Sequence, residues 1–311
     1  MHNLLILSRD ADQYRQLIDE SALSGLTISQ CVDHPAKVNL DLHHTMMLAE
    51  PDLAKHILPK CADIRWVQST WAGVKPLVDL NLPNVRVTGI KDVFGLQMQE
   101  YVFTYILHFA REVERFQQLQ KQRHWVRPVA EGLSAKRIGI LGLGSIGLEV
   151  AKTAKHFNMQ VVGISRSAQP KPNVDRVYSI SQAAEFAPNL DYLVSLLPHT
   201  VETEHLINQD FLALLPAHCV LINAGRGQVI DEAALCSTLM ARKLKAAVLD
   251  VFENEPLPTD HPFWQMENVM ITQHSAAISK PTEIVNVFID NVQRYQQNLG
   301  LRFEIDVTRG Y

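Results

Sequence analysis

Residues Arg137-Ile138-Gly139-Ile140-Leu141-Gly142-Leu143-Gly144-Ser145-Ile146-Gly147 read as a short apolar strand that runs into a glycine-rich turn and then a helix. No other stretch constrains the fold so tightly. The G-x-G-x-x-G spacing suits a tight bend at Gly142, backbone approach to a pyrophosphate at Gly144, and close strand–helix packing at Gly147. Ser145 and Ile146 open the helix, where unpaired N–H groups and the positive end of the dipole favour phosphate oxygens. Ile146, Val150, Ala154 and Phe157 mark one face of that helix, and Gln160-Val161-Val162-Gly163-Ile164 reads as the next parallel strand. In this frame the stretch is a dinucleotide-binding turn.

A chain of 311 residues is long enough for two domains, each with its own core. Its 29 basic and 33 acidic residues leave a formal charge of −4 with no long basic run, so nothing favours a nucleic-acid partner. The run Leu4-Leu5-Ile6-Leu7 is bounded at once by Ser8, Arg9 and Asp10, too short for a signal-peptide core. No later stretch approaches membrane-spanning length, so the expected location is the cytoplasm. Cys31, Cys61, Cys219 and Cys236 show neither a C-x-x-C pair nor zinc-ligand spacing, which predicts four reduced thiols and no metal site.

Ahead of the glycine turn, short apolar runs at 4–7, 27–31, 46–49, 64–68 and 85–88 alternate with polar helical stretches, the rhythm of a small parallel-sheet domain. Loops after such strands collect ligands, and Ser69-Thr70-Trp71-Ala72-Gly73 is the candidate. Gly73 either lets backbone amides face a ligand or serves as a plain turn glycine. Between Gly95 and Trp125 the chain continues without proline or glycine, which predicts one long helix joining the domains. Its apolar residues cover more than one face, so it is expected between domains or against a second subunit. Further strands are expected at 192–196, 220–222, 246–249 and 269–272, with a helix capped by Asp231 and a last helix from about Thr282 to Leu299 that packs back on the first domain.

Three loops after the later strands carry charged or titratable residues: Asn223-Ala224-Gly225-Arg226-Gly227, Asp250-Val251-Phe252-Glu253-Asn254-Glu255-Pro256-Leu257-Pro258, and Thr272-Gln273-His274-Ser275-Ala276. From about Gly95 to Ser279 this pattern, with the glycine turn, resembles the D-isomer-specific 2-hydroxyacid dehydrogenases. The resemblance assigns Arg226 to a substrate's carboxylate and carbonyl oxygen, His274 to proton transfer and Glu255 to the histidine's partner. Reduction of a 2-keto acid wants these types independently, because a guanidinium can stabilise the developing oxyanion and an imidazolium can protonate it. A carboxylate beside the imidazole favours its charged form.

The same resemblance places Leu197, Pro198 and Thr203 beside the adenosine half of the cofactor, although Leu197-Pro198 reads equally as a strand-ending turn. It places Asn223, Ala224 and Asp250 around the nicotinamide, and Ala72 and Gly73 at the substrate. Two positions depart from the family pattern: Gln273 stands where proline usually precedes the histidine, and Lys75 where an aspartate commonly follows the A-G-V loop. After the second strand of the nucleotide domain, a carboxylate normally meets the adenosine ribose. Here the segment is Gly163-Ile164-Ser165-Arg166-Ser167, a cation flanked by hydroxyls, which suits a 2′-phosphate. That, with Gln97-Met98-Gln99-Glu100-Tyr101 and Trp125, resembles the NADP-using glyoxylate and hydroxypyruvate reductases of the family. Trp125 reads equally as a packing or dimer-interface residue, and Arg166 alone would read as a solvated surface arginine.

These readings predict an α/β protein of two parallel-sheet domains. A Rossmann dinucleotide-binding domain, 97–281, is inserted into a smaller flavodoxin-like substrate domain, 1–96, completed by 282–311. The expected activity is NADPH-dependent reduction of glyoxylate or hydroxypyruvate to the 2-hydroxy acid, D where chiral, with NAD as the alternative cofactor. The active site is expected in a cleft that closes by a hinge, and the resemblance implies a homodimer. Two alternatives stay open: a dehydrogenase for a larger D-2-hydroxy acid, and a corepressor-like nucleotide sensor of the same fold.

Overall fold

The computed structural model describes residues 2–127 and 130–306. Five short strands, β1 (His2–Leu7), β2 (Leu26–Val32), β3 (Met46–Ala49), β4 (Trp66–Ser69) and β5 (Arg86–Thr88), alternate with α1 (Ala11–Glu20), α2 (Pro51–Ala54) and α3 (Lys75–Val78). All pair in parallel in the order β2-β1-β3-β4-β5. Parallel strands covered on both faces read as unbroken apolar runs, and Leu4 to Leu7 and Met46 to Ala49 are all fully buried. The order reverses between β1 and β3, as in flavodoxin-like sheets.

Next come α4 (Gly95–Ala110), α5 (Val113–Lys121), β6 (Arg137–Leu141), α6 (Ser145–His156), β7 (Gln160–Ile164), β8 (Arg176–Tyr178) and α7 (Ala183–Phe186). They are followed by β9 (Tyr192–Ser195), α8 (Gln209–Ala213), β10 (Val220–Asn223), α9 (Glu232–Met240), β11 (Ala246–Leu249) and β12 (Val269–Ile271), and α10 (Pro281–Gln296) ends the series. The second sheet has seven parallel strands in the order β12-β11-β10-β9-β6-β7-β8. Its order reverses between β6 and β9, the doubly wound pattern whose ligands collect at the carboxyl ends of the strands. One core packs Phe186, Leu221, Leu249 and Phe263; the other brings Val102, Phe103 and Ile106 of α4 and Val150 and Ala154 of α6 together with Ile138 and Ile140.

Contacts divide the chain into two compact units, one of residues 1–93 with 279–311 and one of residues 94–278. In the first, α10 closes the small sheet: Trp66 is stacked between Phe288 at 5.6 Å and Tyr295 at 5.4 Å. Asn291, fully buried, donates to Gln68 Oε1 at 3.0 Å. Residues 307–311 of the expected 282–311 segment lie outside the described residues.

Several expectations need correction. The single helix expected up to Trp125 is two, α4 and α5, because Glu112 takes a left-handed conformation with φ 53°. Phe157 follows the end of α6 and is 36% exposed, with its ring stacked on Phe103 of α4 at 5.2 Å. The edge strand β8, with Arg176 in the open, had no apolar signature to find. Trp125 is 92% exposed and so is not a packing residue within the chain.

Candidate active site

The second unit carries the chemistry at the carboxyl edge of its sheet. Leaving β6, the chain turns at Gly142, whose φ of +98° favours glycine, and enters α6. A Cβ on Gly147 would lie 2.1 Å from Gly142 O, whereas one on Gly144 would meet nothing within 4 Å. Gly147 therefore lets helix and strand touch, and Gly144 leaves open space beside the N–H groups of Ser145 and Ile146. Such a cradle fits a pyrophosphate. After β7, Arg166 and Ser167 are exposed, and the buried Ser165 Oγ has no hydrogen-bond partner among the described residues. No carboxylate stands between 163 and 167.

Beyond β9, Leu197 packs on the core below the turn. Thr203 is engaged locally: its hydroxyl donates to Pro198 O at 2.7 Å and accepts from Thr200 N–H at 2.8 Å, bracing the 198–203 loop. Asn223, wholly buried at the end of β10, uses its amide inside the next turn, donating to Arg226 O at 3.2 Å and accepting from Gly225 N–H at 3.2 Å. Ala224 N–H donates to Ser195 O at 3.1 Å. This turn presents Arg226, whose Nη1 donates to Gly225 O at 2.6 Å. Sequence reasoning gave Gly227 no role, yet a Cβ there would lie 1.8 Å from the Phe252 carbonyl carbon. The glycine of the N-x-x-R-G pattern was the available signal.

Glu255 lies in the loop after β11 and accepts Phe252 N–H at 3.0 Å with Oε1. Its Oε2 is 2.7 Å from His274 Nδ1 in the loop after β12. That hydrogen bond raises the imidazole pKa above its ordinary value, with desolvation and the Arg226 charge opposing. Burial pushes Glu255 upward, but the bonds from His274 and Phe252 and the nearby cations outweigh it and hold the carboxyl below its usual range. Arg226 is lowered by desolvation and drawn back by Glu255, so all three groups share one field. An imidazolium tied through Nδ1 keeps Nε2 for proton exchange.

Gln273 and His274 both have φ 55°. Proline's ring fixes φ near −65°, so it could not hold the conformation of Gln273, and the departure from the family pattern is conformational. Asp250, nearly fully buried, spends its carboxylate on this loop, accepting Ser275 N–H at 2.8 Å and Ala276 N–H at 3.1 Å. Ala72 and Gly73 lie in the first unit, past β4, where Ser69 Oγ accepts Trp71 N–H at 2.9 Å. Lys75 pairs with Asp79 at 3.0 Å along α3. Among the described residues no group of three His, Cys, Asp or Glu side chains could hold a metal, and no helix is long and apolar enough to cross a membrane.

A doubly wound sheet, a glycine cradle at its switch point and an Arg–Glu–His set along the same edge define a dinucleotide-binding oxidoreductase fold. A model of the D-isomer specific 2-hydroxyacid dehydrogenase NAD-binding domain matches residues 103–276, more than half of the chain. Glyoxylate/hydroxypyruvate reductase A of Citrobacter koseri is 31% identical over 282 residues, 90% of this chain and 89% of that relative. A D-isomer specific 2-hydroxyacid dehydrogenase family protein from Aeromonas salmonicida superposes with a TM-score of 0.93 at 37% identity, covering 98% of this chain and 99% of that one. An NADPH-dependent glyoxylate/hydroxypyruvate reductase from Sinorhizobium meliloti, solved with NADP and sulfate, superposes over all of both chains with a TM-score of 0.90 at 27% identity. The chain belongs to the D-isomer specific 2-hydroxyacid dehydrogenase family.

Proposed function

We propose that this chain reduces a small 2-keto acid, glyoxylate or hydroxypyruvate, to the 2-hydroxy acid with NADPH, giving the D-isomer where the product is chiral. The observation that carries this reading is the 2.7 Å bond between His274 and Glu255, in one electrostatic field with Arg226. When bound, the reduced nicotinamide supplies a hydride to the carbonyl carbon. Arg226 binds the substrate carboxylate and stabilises charge on the carbonyl oxygen. His274 delivers a proton to that oxygen, and Glu255 keeps the imidazole charged and oriented. Gly142, Gly144, Ser145, Ile146 and Gly147 hold the pyrophosphate, and Ser165, Arg166 and Ser167 meet the 2′-phosphate. The missing ribose carboxylate and the NADP bound by the S. meliloti relative support this cofactor choice.

The test is a panel of 2-keto acids assayed with NADPH and with NADH, alongside His274→Ala. The expected result is steady NADPH oxidation by glyoxylate or hydroxypyruvate, and a loss of roughly 10²–10⁴-fold in His274→Ala with NADPH binding retained. NADPH binding without turnover on any keto acid would point to a nucleotide sensor. Turnover confined to larger keto acids would move the substrate assignment.

A further inference from the structure

We infer that Gln97 and Tyr101, one turn apart on α4, are positioning residues that grip the His274 loop at both of its ends. The inference rests on the proposed role of His274 as proton donor.

Residues four apart lie on one helix face. From that face, Gln97 Oε1 accepts Ile278 N–H at 2.9 Å while its Nε2 donates to Ile278 O at 3.0 Å. The side-chain amide thus satisfies both backbone groups of one residue, as a neighbouring strand would. At the loop's other end the Tyr101 hydroxyl is 2.8 Å from Thr272 Oγ1. Thr272 gives its single hydroxyl hydrogen to Asp250 Oδ1 at 2.6 Å, so Tyr101 is the donor in the first bond. Burial raises the Tyr101 phenol, which keeps that proton in place.

Between these anchors sit Gln273 and His274, two successive residues in left-handed conformations that persist only where the surroundings over-determine them. Asp250 constrains the middle, since its backbone O accepts His274 N–H at 2.6 Å and its carboxylate accepts the next two N–H groups. Helix α4 constrains the ends, and its own opposite side is fixed because Val102 and Ile106 are fully buried in the core beneath β6. The imidazole is therefore referenced to the sheet through α4 as well as through Glu255.

The experiment compares kcat, KM and NADPH affinity for the parent, Gln97→Met, Tyr101→Phe, Thr272→Val, Thr272→Ser and His274→Ala, and for Tyr101→Phe combined with His274→Ala. A misplaced catalytic group costs up to about 10²-fold, so Gln97→Met, Tyr101→Phe and Thr272→Val are expected to lose about ten- to a hundredfold in kcat with NADPH affinity retained. Thr272→Ser, which keeps the hydroxyl, should hold near-parent kcat. Residues that act through one group are non-additive, so Tyr101→Phe should cost nothing further once His274 is gone. Tyr101→Phe deletes a single oxygen, so it carries the test even if Gln97→Met fails to fold. Parent-level kcat in Gln97→Met and Tyr101→Phe beside an impaired His274→Ala would overturn the grip alone. So would an equal loss from Tyr101→Phe with and without His274, or a parallel loss of NADPH affinity. Full turnover in His274→Ala would overturn the grip and the proposed chemistry together.

Discussion

Glu255 holds His274 by one hydrogen bond of 2.7 Å, and the sign of its effect on pH dependence can be worked out directly. A raised imidazole pKa keeps His274 charged to higher pH, so keto-acid reduction should persist above the ordinary histidine range and fall as pH rises through the raised value. Any stability the pair adds is complete below the ordinary imidazole value on the histidine side and is lost above the raised one. On the glutamate side it is present above the ordinary carboxyl value and is lost as acid passes the lowered one. In Glu255→Gln the descending limb of the pH–rate profile should move to lower pH, and an unmoved limb would remove Glu255 from its role. The proposed role of Arg166 is on the cofactor instead. Hydrogen bonds to charged groups are worth about 1.5–3 kcal/mol, which corresponds to roughly a ten- to hundredfold preference for NADPH. Arg166→Asp should reverse that preference by repelling the phosphate and offering the ribose an acceptor. The ratio of kcat/KM for the two cofactors in parent and variant checks it, and an unchanged ratio would refute it. At this scale the family resemblance singled out Arg226, Glu255 and His274, and the structure brings Glu255 within 2.7 Å of His274. The left-handed backbone of Gln273 was not legible, because nothing in a glutamine side chain announces φ 55°. Nor was the engagement of Thr203 within its own loop, which depends on how that loop folds back.

Among elements, α6 couples fold to function most directly. Its first turn touches the strand before it so closely that Gly147→Ala would place a methyl 2.1 Å from Gly142 O. Overpacking of this kind costs about 1–3 kcal/mol. NADPH affinity should fall by about five- to a hundredfold as the cradle is forced apart, and fluorescence titration of the variant measures it. Binding at the parental level would show that helix and strand can separate without cost. The parallel strands were readable because burial on both faces leaves runs such as Met46 to Ala49 with no polar residue. Asp231 was readable as a cap, and its side chain accepts Ala234 N–H at 2.9 Å. The break at Glu112 was not, since the stretch lacks the glycine or proline that usually marks one. The bond between Tyr101 and Thr272 was not legible for a related reason: a tyrosine on an apolar helix reads as core until its hydroxyl finds a partner far along the chain.

For the molecule as a whole, the homodimer that the family resemblance implies is a testable expectation. Phe116 on α5, a helix that buries none of its residues, is 45% exposed, and past the end of that helix Trp125 is 92% and Val126 46% exposed. A second copy seated there would cover them. Light scattering should give twice the 35.1 kDa of one chain, and Trp125→Ser should shift the population toward monomer. A monomeric parent would end that reading. The division of the chain into units has a further consequence, for synthesis. The small sheet holds Trp66 between Phe288 and Tyr295, residues encoded more than two hundred positions later. A ribosome therefore releases β1 to β5, then the whole of residues 94–278, and only afterwards the helix that covers the first sheet. Of the two units, the one whose synthesis starts earlier is the one completed later.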